Sequence, residues 1–337
     1  MSLFEPNKRE EKLENLGDPL IKLNKLIDFE IYRDDLESMY KSGTQKGGRP
    51  PYDPVKMLKI LILQKLYNLS DRQTEFQIND RASFQRFLGI GAYDSLPDEK
   101  TIWLFKERLI NEGLDKILFD KLKYWIKKSG FMLNEGSIVD ASIVQVPIQR
   151  NTAEENEAIK EDKIPEGWEE DGRMYAQKDT DARWTMKHNK SYYGYKIHIL
   201  VDKETKIIRD FVVTSASVHD SCVLEELLEE VKPEEAVFAD SAYSSEELKR
   251  ATKNKSAEPL FCMKGKRNKP LNKAEREWNR CLSKIRCRVE HVFGDIKSFG
   301  MNRIRSIGIE RARLQIFLGN MTYNMRRTVY LKGAYHA

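Results

Sequence analysis

After Gly136 the residue pattern changes, and that change restricts the fold more than any other feature. Upstream, residues 50–130 carry apolar side chains at helical spacing; downstream, short β-branched runs take over, beginning with SIVDASIVQVPI at 137–148. The runs YGYKIHILVD (193–202) and KIIRDFVVTSAS (206–217) follow, and the short KETK turn between them predicts an antiparallel hairpin. A helical SCVLEELLEEV, a strand AVFADSAY, a helix SEELKRATKNK, a strand EPLFCMK and one long helix complete the order. Three strands, then helix, strand, helix, strand, helix is the order of an α/β, ribonuclease-H-like core. It predicts a mixed five-stranded sheet with flanking helices, preceded by an all-helical N-terminal domain.

The helical part has its own punctuation. Asp53 with Pro54 behind it forms an N-cap and first-turn pair ahead of VKMLKILILQKLYN, and Ser70 can cap SDRQTEFQIND. Two further helices run through TIWLFKERLIN and LDKILFDKLKYWIKKSG, where Gly130 marks the stop. The expected division is a 1–49 extension ending in the loop SGTQKGGRPP, a 50–132 helical domain, and a 133–332 α/β core. An acidic insertion, 150–185, interrupts the core; its segment NTAEENEAIKEDKIPEGWEEDG has nine acidic and two basic residues and reads as a mobile loop.

Charge is segregated along the chain. Residues 260–332 hold eighteen Lys or Arg against five Asp or Glu, a surplus that suits either a polyanionic partner or simply a soluble basic surface. Four cysteines without CxxC spacing exclude a disulfide scaffold, so reduced thiols are expected. The N-terminus MSLFEPNKREEK lacks an apolar signal core, and MLKILILQKLY is broken by Lys59, Gln64 and Lys65, so a cytoplasmic chain without a membrane partner is expected.

Two strands carry an acid beside apolar residues: Asp140 in SIVDAS and Asp240 in AVFADS. A carboxylate buried there costs several kcal/mol unless it is paired or bound to metal. The plain alternatives are a water-facing strand edge for Asp140 and a helix cap for Asp240, although Ser244 and Glu247 offer the next helix a capping box of its own. A third acid, Glu290, lies in RCRVEHVFGDIK. At about 100° per residue, Ser283, Arg286 and Lys297 fall within about 40° of Glu290, beside an apolar face of Leu282, Ile285, Val289, Val292, Phe293 and Ile296. Three carboxylates meeting from two strands and a helix would repel one another unless divalent cations neutralise them. Two Mg²⁺ ions, for which Mn²⁺ can substitute, are the cofactors this pattern asks for, with Arg286 and Lys297 binding the flanking phosphates. A solvated i, i+4 pair of Arg286 with Glu290 is the plain alternative.

These residues resemble the DDE transposases of bacterial insertion sequences, in particular the insertion-sequence-five family. Its helix signature is tyrosine, two residues, arginine, three, glutamate, six, lysine. Arg286, Glu290 and Lys297 match, and Ser283 stands at the tyrosine position. PYDPVKMLKILILQKLYNLSDRQ, DARWTMKHNKSYYGYKIHILVD, SVHDS and ADSAY resemble the family too. The resemblance implies Asp140, Asp240 and Glu290 as the catalytic, metal-binding triad, and places Lys196 and His198, which share a face of GYKIH, near the site; Lys196, His198 and Arg183 are candidate DNA contacts, with a satisfied structural histidine the plain alternative for His198. It implies cleavage at element ends bearing terminal inverted repeats and strand transfer to target double-stranded DNA by a homodimer. A ribonuclease-H-like metal nuclease without strand transfer, and a non-catalytic DNA-binding descendant, are the alternatives; the intact triad counts against the second.

Overall fold

The computed structural model describes residues 8–40, 50–91, 94–161, 163–168, 172–267 and 269–335. They divide into two compact units: the residues up to Tyr124 together with those from Met321 on, and Trp125–Asn320.

The first unit is helical, and its ends follow the local chemistry. Asp53 accepts from the N–H groups of Val55 and Lys56 ahead of the helix Pro54–Leu66. Ser70 and Gln73 form a reciprocal capping box on Asp71–Asp80. Pro54–Leu66 is the centre of this core, with Met57, Leu58, Ile60, Leu61, Ile62 and Leu63 all buried. The chain before residue 50 also contributes: Asp18 caps a helix Pro19–Leu26, and Leu20, Leu23, Tyr32 and Leu36 are buried.

The second unit is built on one sheet. Its strands are β1 (Ser137–Gln145), β2 (Arg183–Lys187), β3 (Lys190–Asp202), β4 (Ile208–Ser215), β5 (Ala236–Ala239) and β6 (Glu258–Phe261). β3 runs antiparallel to β1, β4 and β2, whereas β5 is parallel to β1 and β6 parallel to β5. The order β4-β3-β1-β5-β6 is that of the ribonuclease-H-like core, with β2 added on β3. The sheet therefore has six strands rather than the expected five. RWTMK escapes periodicity because three of its five side chains are exposed. Gly194, where β3 passes from β2 to β4, has φ +145°, and a Cβ there would lie 2.3 Å from the Val144 carbonyl oxygen. Only glycine lets the two backbones approach so closely.

The sheet's faces differ. On one, Val139, Leu200, Val237 and Ala239 pack with Leu224, Leu227, Leu228 and Leu248 from the connecting helices. Side chains alternate along a strand, so Asp140 faces the other way, toward the helix Lys273–Ile296. That helix buries Leu282, Val289, Val292, Phe293 and Ile296, the apolar stripe read from the sequence. Each such side chain contributes about 1.5–3 kcal/mol when fully buried.

The acidic segment is not a loop throughout. Thr152 and Glu155 cap a helix Ala153–Lys160, and the fully buried Trp168 donates its Nε1–H to Glu155 at 2.8 Å. One large aromatic supplies the anchor that average composition conceals. Ser245, not Ser244, caps the helix Glu246–Asn254.

Candidate active site

β1 and β5 are paired in parallel, with Ser137 beside Val237 and Ile138 beside Phe238. The ladder ends there; Asp140 lies two residues further along β1 and Asp240 directly after β5, close enough for the charge of Asp240 to act on Asp140. The next strand continues the row: Cys262 follows β6, and its N–H donates to the Ala239 carbonyl at 3.1 Å. Arg286, from the helix Lys273–Ile296, spans the row. Its Nη2 is 3.6 Å from Asp140 Oδ2, and its Nη1 lies 3.8 Å from Cys262 Sγ.

Both aspartates are only partly satisfied by the protein. Asp140 Oδ1 accepts from the Ala141 N–H at 2.8 Å, and the side chain is 22% exposed. Burial pushes this carboxyl up to about 6; the Ala141 N–H and Arg286 oppose the shift, and the charge of Asp240 adds to it. Asp240 Oδ1 accepts from the Ala242 N–H at 2.8 Å and caps the tight turn Ser241–Tyr243, so a capping role and a place in this row coexist. Within that turn, Tyr243 is fully buried. Its hydroxyl has no hydrogen-bond partner among the described residues, and neither has Arg286 Nε.

Glu290 is one turn beyond Arg286 on the same helix and is exposed, as is Lys297 at the helix end. Among the described residues, no group of three or more His, Cys, Asp or Glu side chains is gathered closely enough to hold a metal ion. The donor set nevertheless fits a hard divalent cation. Asp140 and Asp240 offer oxygen ligands only, and a desolvated carboxylate beside a like charge is the arrangement such a cation relieves.

The other sequence-derived positions fall elsewhere. His198 is opposite Ala141 and Lys196 opposite Ile143, which puts both on the sheet face away from Asp140. Lys196 donates to the Val218 carbonyl at 2.7 Å and pairs with Asp220 at 2.8 Å, an ion contact without hydrogen-bond alignment at the Asp220 oxygen. His198 is buried, lies 2.9 Å from the Thr214 hydroxyl through Nε2, and is pushed down to about 4 by burial. Arg183 donates to the backbone carbonyls of Thr180, Ala182 and Ile159. On the same helix, Arg288 donates to Glu204 and to the Lys203 carbonyl, and His291 meets Lys206 at 3.0 Å. Sequence reasoning passed over Cys262 and Tyr243; the ADSAY run around Asp240 is the signal that contains the second.

The strand order defines a ribonuclease-H-like core, with Asp140 on β1 and Asp240 directly after β5. The family model "Transposase DDE domain" matches residues 133–325, more than half of the sequence, and the chain belongs to that family. A second model, "Transposase domain (DUF772)", matches residues 8–108. Among solved structures, a chain of a piggyBac transposase synaptic complex with hairpin DNA is similar at a TM-score of 0.49 and 10% identity, over 96% of this chain and 77% of that one. No helix among the described residues is long and apolar enough to cross a membrane.

Proposed function

We propose that this transposase belongs to the insertion-sequence-five group, cleaves DNA at the ends of its element and joins the resulting 3′-hydroxyl to target DNA. The observation that supports the reading is Asp140, desolvated on β1, with Arg286 at 3.6 Å and the charge of Asp240, from the end of the parallel strand β5, acting on it. These two carboxylates would hold divalent metal, Mg²⁺ or Mn²⁺, with Glu290 brought in from the next helical turn. When bound, two such ions supply activation of the attacking oxygen and stabilisation of the leaving one. Arg286 keeps the acidic row partly neutral, and together with Lys297 it offers charge to phosphates on that face. Water and a DNA hydroxyl serve as nucleophiles, so no covalent protein intermediate is needed. Lys196, His198 and Arg183 have internal partners, and we read them as braces around the site more than as direct DNA contacts. Residues 50–132 would recognise the inverted repeats or hold two copies together, because two ends must be kept in one complex.

The test is to incubate the purified chain and Mg²⁺ with the DNA ends that flank its coding sequence. Nicking and joining are expected, with Asp240→Ala losing both while it retains end binding. Wild-type protein that neither nicks nor joins would overturn the transposase reading. Cleavage by Asp240→Ala would remove that residue from the centre, and cleavage without joining would favour a nuclease.

A further inference from the structure

A cleft of about 500 Å³ separates the helix Ala153–Lys160 from the β2–β3 hairpin; Asn156, Lys160, Arg183, Trp184 and Tyr193 line it. Trp184 and Tyr193 are cross-strand partners with ring centroids 5.2 Å apart. Tyr193 is buried, and its hydroxyl donates to the Asp179 carbonyl at 3.3 Å, so it forms a fixed backing. Trp184, by contrast, leaves 46% of its surface exposed. Its aromatic surface faces a space walled by the exposed Lys160 and by Arg183, whose guanidinium is held by the Ile159 carbonyl at 2.6 Å.

The cleft also has a route to the acidic row. β2 leads from Trp184 to Lys187 in three residues, about 10 Å of extended chain. Lys187 is close enough for its charge to act on Asp140. An aromatic face with cations beside it suits a nucleic-acid base and its phosphate. A base inside a duplex has both faces covered by its neighbours, so the ligand this cleft fits is unpaired.

We propose that the cleft between Ala153–Lys160 and the β2–β3 hairpin binds an unpaired nucleotide of the DNA substrate, its base stacked on Trp184 and its phosphate met by Lys160. The inference rests on the reading that the chain acts on DNA. It adds a place where a frayed, flipped or freed nucleotide is held near the reacting strand.

The experiment uses the full chain without divalent metal. It compares a blunt duplex with the same duplex carrying a short unpaired tail that contains a fluorescent purine analogue. Wild-type protein should bind the tailed DNA more tightly and quench the analogue. Trp184→Ala should weaken tailed-DNA binding by about tenfold or more and abolish quenching, with blunt-duplex binding unchanged. Trp184→Phe should recover most of both. Lys160→Gln, at an exposed position, should lower the slope of log affinity against log salt by about 0.7 for the tailed DNA. Equal affinity of wild type and Trp184→Ala for the tailed DNA, with quenching retained, would overturn the proposal. Binding of the blunt duplex with no preference for the tail sinks the cleft alone. Failure to bind either DNA sinks this proposal and the DNA reading together.

Discussion

Asp140 and Asp179 belong to the same unit, and each is removed from bulk water, yet the protein treats them in opposite ways. Asp179, 2% exposed, receives the Tyr195 hydroxyl on both oxygens, the N–H groups of Asp181 and Ala182 on one, and the N–H of Gly308 on the other. Its charge is spread over hydrogen bonds that tie β3 to the start of the helix Ile309–Tyr335. Asp140 has one backbone N–H, a guanidinium at 3.6 Å and the charge of a second carboxylate, Asp240, acting on it. A carboxylate whose lone pairs are filled by the protein is part of the framework. One that is desolvated and incompletely filled is available to a ligand.

The largest effect should come from breaking the satisfied site. Asp179→Ala leaves the Tyr195 hydroxyl and three backbone N–H groups without their acceptor, and should lower unfolding free energy by about 3–5 kcal/mol in urea titrations. A loss below about 1 kcal/mol would erase the contrast with Asp140.

The opposite sign is expected at the row. Asp140→Asn removes a charge that the folded state holds at a cost, so the metal-free protein at pH 7 should gain about 1–2 kcal/mol while cleavage is lost. The pH dependence follows from a carboxyl raised from its ordinary value to about 6. Above about 6 the wild type carries the strained charge. As pH falls through 6 toward 4, the folded state takes up the proton first and wild type gains stability relative to the unfolded chain. The advantage of Asp140→Asn should therefore shrink over that window, as thermal melts in chelator at several pH values would show. An advantage that grows on acidification would contradict the assignment of the strain to Asp140.

The smallest effect belongs to Tyr243→Phe. Removing a buried hydroxyl with no partner among the described residues should leave stability unchanged or raise it by up to about 1 kcal/mol. A loss of more than that would mean that the hydroxyl contributes a bond to the apo fold.

Periodicity carried much of this architecture. The three-strand meander, the crossover helices and the apolar stripe Leu282–Ile296 follow from alternation and 3.6-residue spacing, because each element buries one continuous face. β2 was illegible because its exposure is set by a neighbouring strand and a cleft, not by a buried face. The folded part of the acidic segment is held by contacts between residues distant in sequence, among them Trp168 to Glu155, Lys178 to Asn151 and Arg183 to the Ile159 carbonyl, which no local average registers. Asp140 and Asp240 were recognisable as acids in apolar strands, but their adjacency is a property of register. The reach of Arg286 to Asp140 and the inward partners of Lys196 depend on side-chain conformation, which spacing does not encode.

The parallel pairing of β1 with β5 has a further consequence for how such a chain can vary. Asp140 and Asp240 are separated by a long excursion that includes a hairpin, an inserted helix and a cleft, yet each lies two residues beyond the paired positions Ile138 and Phe238. Residues can be added to or removed from that excursion while the ladder keeps the acids level. A slip of one residue between the strands would turn one acid to the far face of the sheet. The tolerance for length therefore lies in the loops and the intolerance in the ladder, so new surfaces can be grafted between the two acids without moving either.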